Sequence, residues 1–251
     1  MRASFEADGD VIVITGGANG IGRALARAAA SIGARVVICD VDVAGMNAAK
    51  AESTMISAVR TDVGDRSSVF ASFDQIGREF GRIDGLVCGA AVQPRVPAHE
   101  MSPEEWARVV NVNLDGVVWC YQAVIPGMIA RRRGSIVAFT SGLAHQGWPQ
   151  ASAYAATKAA RIAFVKSAAK EIAQHRVRFN LIAPGVIDTP QYRAANAGTD
   201  DALWRASVGV GMPEDVIGPL LFLLSDAASM TASLVSRDTA YRVREDGEPA
   251  E

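Results

Sequence analysis

The sequence predicts a single α/β domain: a doubly wound parallel sheet of about seven strands with helices on both faces. Three observations predict it. Short apolar, β-branched runs alternate with helix-favouring stretches along the chain. The first such run leads through a glycine-rich turn straight into an alanine-rich segment. The 251 residues, 49% of them hydrophobic, suit one domain with a sizeable core.

Residues 10–15 contain VIVI, the pattern of a buried central strand. TGGANGIG follows at 15–22, and RALARAAASIG reads as a helix. Gly16, Gly20 and Gly22 allow a tight turn and a close approach of backbone to ligand. The helix N-terminus adds free N–H groups and a positive dipole end, a setting for a pyrophosphate. Strand, glycine turn and helix form the first unit of a Rossmann-like dinucleotide-binding fold. The second strand, RVVICD at 35–40, ends in Asp40, where an acid commonly binds the adenosine ribose hydroxyls. Asp42 is the alternative acid. A carboxylate there repels a 2′-phosphate, and neither Ala18 nor Asn19 is basic, so NAD is favoured over NADP.

Residues 55–61 read as a third strand, followed by Asp62 and Val63. Asp65 caps a helix that runs to Phe80 and ends at Gly81. Residues 85–91, GLVCGAA, read as a fourth strand whose small residues, Ala90 among them, let a flat ring or ribose lie close. Ser102-Pro103-Glu104-Glu105 forms a capping box. It opens a long helix carrying Asn111 and Asn113, mediocre helix interior residues, one of which suits a buried role. Arg131, Arg132 and Arg133 before Gly134 place cations at a helix C-terminus. Residues 136–140 form the fifth strand, with Ser141 at its end, and the loop after it is glycine-rich. A helix then runs to about Gln174, and residues 177–182 form the sixth strand. The segment 186–212 has little periodicity, and so long an insert in a compact domain reads as a substrate loop. Residues 213–224 are helical, 234–238 the last strand, and 242–251 a frayed polar tail.

The candidate chemistry lies at 141–158. Tyr154 and Lys158 are four apart in a helix-favouring segment, so phenol and ammonium share one face. A free tyrosine, with a pKa of about 10, is a poor base at neutral pH. Bringing it to about 7 needs roughly 4 kcal/mol of differential stabilisation, more than one lysine readily supplies. A second positive charge is therefore expected, such as an oxidised nicotinamide. Substrate-pocket candidates are Ser141, Ala144, Gln146, Trp148, Tyr154, Val186, Tyr192 and Trp204. Their aromatic and apolar bias suits a partly hydrophobic, cyclic or aromatic substrate.

Composition narrows the classes. A net charge of −2 makes no case for nucleic acid or an anionic membrane, and no apolar run approaches a membrane span. Cys39, Cys88 and Cys120 are far apart and sit in apolar surroundings, which points to reduced thiols and a cytoplasmic location. His99, His145 and His175 lack ligand spacing, so no metal is expected. A hydrolase using Ser141 and His145 would lack the G-x-S-x-G setting.

Taken together, TGGANGIG, Asp40, Asp62-Val63, NVNLDG at 111–116, SIVAFTS at 135–141, Tyr154-x-x-x-Lys158 and NLIAPGVIDT at 180–189 resemble the short-chain dehydrogenase/reductase family. The resemblance implies an NAD-dependent oxidoreductase for a secondary alcohol or ketone. Tyr154 would be the general acid/base, and Ser141 would hydrogen-bond the substrate oxygen. Lys158 would hold the nicotinamide ribose and depress the Tyr154 pKa, with Asn113 supporting a water relay behind it. Gly16, Asn19 and Ile21 would meet the pyrophosphate, beside Gly20 and Gly22. Asp40 would meet the adenine ribose, Asp62 and Val63 the adenine, and Ile187 and Thr189 the carboxamide. A homotetramer or homodimer is implied. The alternatives are a non-catalytic NAD-binding sensor or scaffold and an NADP-preferring 3-oxoacyl-type reductase. The chain departs from the family at Cys88-Gly89-Ala90-Ala91, where Asn-Asn-Ala-Gly is usual. It departs again at Thr231-Ala232, where Thr-Gly is usual, and at Asp238-Thr239-Ala240, where Asp-Gly-Gly is usual.

Overall fold

The computed structural model describes residues 4–198 and 208–238. Trp204, Thr239, Ala240 and the tail at 242–251 lie outside them. Seven parallel strands make one sheet. They are β1 (Val11–Thr15), β2 (Arg35–Asp40), β3 (Ile56–Arg60), β4 (Gly85–Cys88), β5 (Gly134–Phe139), β6 (Val177–Ala183) and β7 (Leu234–Ser236). Their order across the sheet is β3-β2-β1-β4-β5-β6-β7. The helices are α1 (Gly20–Ser31), α2 (Val43–Lys50), α3 (Arg66–Phe80), α4 (Pro103–Val110), α5 (Gly116–Arg131), α6 (Leu143–Gln146), α7 (Ser152–Ile172), α8 (Pro190–Ala195) and α9 (Ile217–Leu224).

Strand alternation divides the core into two layers. Ile12 and Ile14 of β1 pack with Leu25 of α1, Met46 of α2 and Leu220 of α9. Val13, pointing the other way, packs with Phe73 of α3, Val124 of α5 and Val165 of α7. Burial on both faces explains why the strands read as continuous apolar runs.

Local chemistry sets the helix ends. Asp65 accepts from Ser67 N at 2.9 Å to start α3, and Gly81, with φ +77°, ends it. Ser102 caps α4 by accepting from Glu105 N at 3.1 Å. The reciprocal half of the expected capping box is missing. The Glu105 carboxylate turns to Arg108 instead, 2.7 Å away, because a charge-assisted pair outcompetes a bond to a backbone N–H.

Three segments differ from the sequence reading. The long helix after Ser102 is interrupted by a π-helical turn, Asn111–Asp115, which turns Asn113 fully inward. β4 stops at Cys88; Gly89 keeps one bond to β1, its N–H donating to Thr15 O at 3.0 Å, and residues 89–91 are not strand. Within 186–212, Thr189 caps α8 and Ile187 bridges to Gly211, structure too short to leave a periodic signal. The Thr-Gly departure has a local cost: Ala232 adopts φ +60°, a region that favours glycine.

Candidate active site

The C-terminal ends of the strands open on a cavity of about 460 Å³. It sits where β1 and β4 lie side by side, the switch point at which open α/β sheets form a crevice. Gly16, Asn19, Gly20, Ile21 and Gly22 line one end. No side chain caps the first N–H groups of the 12-residue α1, and its first turn holds no acid. Asn19 donates its amide to Asp42 at 2.8 Å instead. The turn leaves no room for side chains. A Cβ on Gly16, whose φ is +71°, would lie 2.7 Å from Ala90 N, and one on Gly22 would strike the Gly16 carbonyl. Free backbone donors at a positive helix end fit a diphosphate.

Asp40 borders the next stretch. Its carboxylate accepts from Ala18 N at 3.0 Å, Val41 N at 2.8 Å and Asp42 N at 3.0 Å. Asp42, the alternative acid, is committed elsewhere: it caps α2 through Gly45 N at 3.0 Å. That bond and the Asn19 amide hold its carboxyl below the usual range. Asp62 and Val63 line the cavity beyond Asp40. The lining cations are Arg95 after β4, Lys158 on α7 and Arg237 after β7, each separated from Asp40 by at least β1 in the strand order.

Ser141, Tyr154 and Lys158 meet at the other end. Burial pushes the Tyr154 phenol up, while Arg161, the Ser141 hydroxyl and Arg95 pull it down. Lys158 is 2% exposed. Its Nζ donates to Phe139 O at 3.1 Å and stands 5.3 Å from the centre of the Tyr154 ring. Burial, and then Arg161, hold its ammonium well below the ordinary 10.5. Two arginines, Arg161 and Arg95, are thus among the cations acting on the phenol.

Asn113 does not border the cavity. Its side chain clamps the chain after β4, donating to Val92 O and accepting from Val92 N, each at 2.8 Å. Its backbone carbonyl accepts from Arg161 Nε. Arg161 also donates to Ala90 O at 3.2 Å and Phe139 O at 2.8 Å. It therefore ties together the ends of β4 and β5 and the π-turn, around the place where Cys88 replaces the family's asparagine. The sequence held a signal for Arg161 that went unread. It lies three residues after Lys158, on the stripe continued by Val165, Ala168 and Ile172, so a charge interrupts a buried face.

Gln146, Val186 and Tyr192 also line the cavity, as do Ala90, Ile187 and Thr189. Trp148 and Ala144 do not line it. Gly147, at φ +66°, turns the chain after α6 and leaves Trp148 47% exposed. Arg95, set between prolines with no periodic signal, was not singled out. It lines the cavity and donates to Ala195 O and Asn196 Oδ1, both at 3.2 Å. Its Nη1 is buried without a hydrogen-bond partner.

A family model described as short chain dehydrogenase matches residues 10–200. Cis-4-hydroxycyclohexanecarboxylate dehydrogenase of Sinomonas cyclohexanicum is 38% identical, over 92% of this chain and 96% of that one. Among solved structures, levodione reductase superposes with a TM-score of 0.87 at 28% identity, covering 92% of this chain and 96% of that one. The 3-ketoacyl-(acyl-carrier-protein) reductase from Brucella melitensis, complexed with NADH, gives a TM-score of 0.85 at 28% identity, with 92% and 97% covered.

Proposed function

The chain belongs to the short-chain dehydrogenase family, and from that premise we propose an NAD-dependent oxidoreductase for a secondary alcohol and its ketone, with Tyr154 as general acid/base. The observation that carries the reading is one cavity with Ser141, Tyr154 and Lys158 at one end and the uncapped α1 N-terminus and Asp40 at the other.

The nicotinamide, when bound, supplies or accepts the hydride. The backbone at Gly16, Asn19, Gly20 and Ile21 would hold the diphosphate, and Asp40 the adenosine ribose. The Asp40 carboxylate would repel a 2′-phosphate, which supports NAD. Asp62 and Val63 would border the adenine, and Ala90, Ile187 and Thr189 the nicotinamide, with Lys158 near its ribose. Ser141 would donate to the substrate oxygen. Tyr154 Oη would take the alcohol proton during oxidation and return it during reduction.

Arg95 narrows the substrate to an alcohol that also carries a carboxylate. One arm of its guanidinium lacks a partner, and no carboxylate bonds it among the described residues. A guanidinium at the cavity wall with no carboxylate partner would attract a bound acid. The hydroxycyclohexanecarboxylate named for the Sinomonas relative has this chemistry, with hydroxyl and acid across a ring.

The test is oxidation of cis-4-hydroxycyclohexanecarboxylate and its primary amide, with NAD and NADP, by the wild type and Tyr154→Phe. We expect NAD to be preferred and the acid to exceed the amide at least about tenfold in kcat/KM. Tyr154→Phe should lower kcat about 10³-fold while still binding NADH. A Tyr154→Phe variant that keeps most of its turnover defeats the catalytic assignment. Tight NADH binding without turnover across a broad alcohol panel makes the protein a sensor or scaffold. Equal rates for acid and amide remove only the role given to Arg95.

A further inference from the structure

We propose that Arg161 is a positioning residue: a permanent internal cation, locked by three backbone carbonyls, that sets the ionisation of the Tyr154–Lys158 pair from inside the protein.

The geometry carries this. Tyr154, Lys158 and Arg161 follow one another at four and three residues on α7, so they share a face. Arg161 has no exposed surface. Its Nε, Nη1 and Nη2 donate to the carbonyls of Asn113, Phe139 and Ala90, on the π-turn, β5 and the segment after β4. Three elements fix the guanidinium, so it cannot swing towards water. Phe139 O also accepts from Lys158 Nζ, so the two basic groups share one acceptor.

What is missing matters equally. The groups that face Arg161 are Tyr154 and Lys158 on its own helix, Cys88 at the end of β4 and Cys120 on α5. Among the described residues no carboxylate does. A buried cation without a counter-ion costs several kcal/mol. Both thiols are fully buried or nearly so, and the contact with Cys88, followed by burial, raises the Cys120 thiol well above its ordinary range. The one group nearby whose ionisation would serve the reaction is the Tyr154 phenol. Burial draws the Arg161 pKa down to about 10, which leaves it charged at neutral pH. Burial, and then Arg161, lower the pKa of Lys158 beside it.

The sign follows. Alcohol oxidation uses the phenolate, and removing a fixed cation raises the phenol pKa, so the acidic limb of the rate profile moves to higher pH. The decisive pair is Arg161→Gln, which keeps donors and loses the charge, and Arg161→Lys, which keeps the charge on a shorter stem. Two readouts apply. One is the pH profile of kcat/KM. The other is the ultraviolet titration of the Tyr154 phenol in cofactor-free protein, taken as the difference from Tyr154→Phe. We expect Arg161→Gln to raise both midpoints by about one pH unit or more, roughly a tenfold rate loss at neutral pH that is recovered at high pH. Arg161→Lys should stay nearer the wild type. Unmoved midpoints in Arg161→Gln, or equal loss at every pH in both variants, overturn the proposal. Should both variants fail to fold, the wild-type phenol titration decides. A midpoint shift on titrating nearby groups supports the linkage, and a phenol that titrates independently of them overturns it. The rate readout rests on the dehydrogenase reading. The phenol titration does not, so the two can fail separately.

Discussion

At the glycine turn the cavity wall is backbone. Gly16 lies against Ala90, Gly22 against Gly16, and α1 starts with no side chain over its N–H groups. At the opposite end the wall holds Lys158 and Arg95, and the fully buried Arg161 shares the Phe139 carbonyl with Lys158; all three are anchored to carbonyls and without carboxylate partners among the described residues. The first end leaves side chains out, so small substitutions there act through sterics. The second holds cations away from water, so changes there act through charge. The same 460 Å³ space thus answers to shape on one side and to pH on the other.

The largest effect that would break this contrast is steric. Gly16→Ala should destabilise the fold by about 2–4 kcal/mol, from strain at positive φ and collision with the Ala90 backbone. It should also weaken NADH at least about tenfold; urea unfolding and a fluorescence titration measure the two. Unchanged affinity would mean that the turn does not carry the diphosphate. A smaller effect sharpens the shape side. Asp40→Asn keeps an acceptor for Ala18 N while losing the charge. The ratio of kcat/KM for NADP over NAD should rise about tenfold, as a few kcal/mol of like-charge repulsion is relieved in part. If the ratio stays put, repulsion at Asp40 does not set cofactor choice.

The smallest effect is a change of slope on the charge side. The Lys158 pKa is depressed well below 10.5 in the folded protein. Between those two values the unfolded chain holds a proton that the folded chain has released. Stability therefore rises with pH across that window, and flattens above 10.5. Lys158→Met should remove this rise, read from urea midpoints over a pH series. A variant with the wild-type slope would show that Lys158 stays charged in the fold.

The two ends also differ in how far the sequence disclosed them. The strand positions, the glycine turn and Asp40 were legible because each is encoded locally, by periodicity or by residues that the backbone conformation demands. The spacing of Tyr154 and Lys158 was legible for the same reason. Arg161 and Arg95 were not singled out, since their meaning depends on carbonyls 22 to 101 residues away. Trp148 misled for the complementary reason: an aromatic near a reactive motif suggests a pocket wall, yet one turn at Gly147 aims it outward. The departure at Cys88 was visible as a gap. What fills that gap, a guanidinium from another helix, belongs to three dimensions.

One atom in this arrangement eludes the usual tools. The oxygen of Phe139 belongs to the main chain and receives both basic heads at the tip of β5. No alanine scan deletes a peptide oxygen, so exchanging side chains one by one leaves this shared anchor standing. Replacing the amide by an ester at the neighbouring position, which weakens that oxygen as an acceptor, would loosen both heads at once.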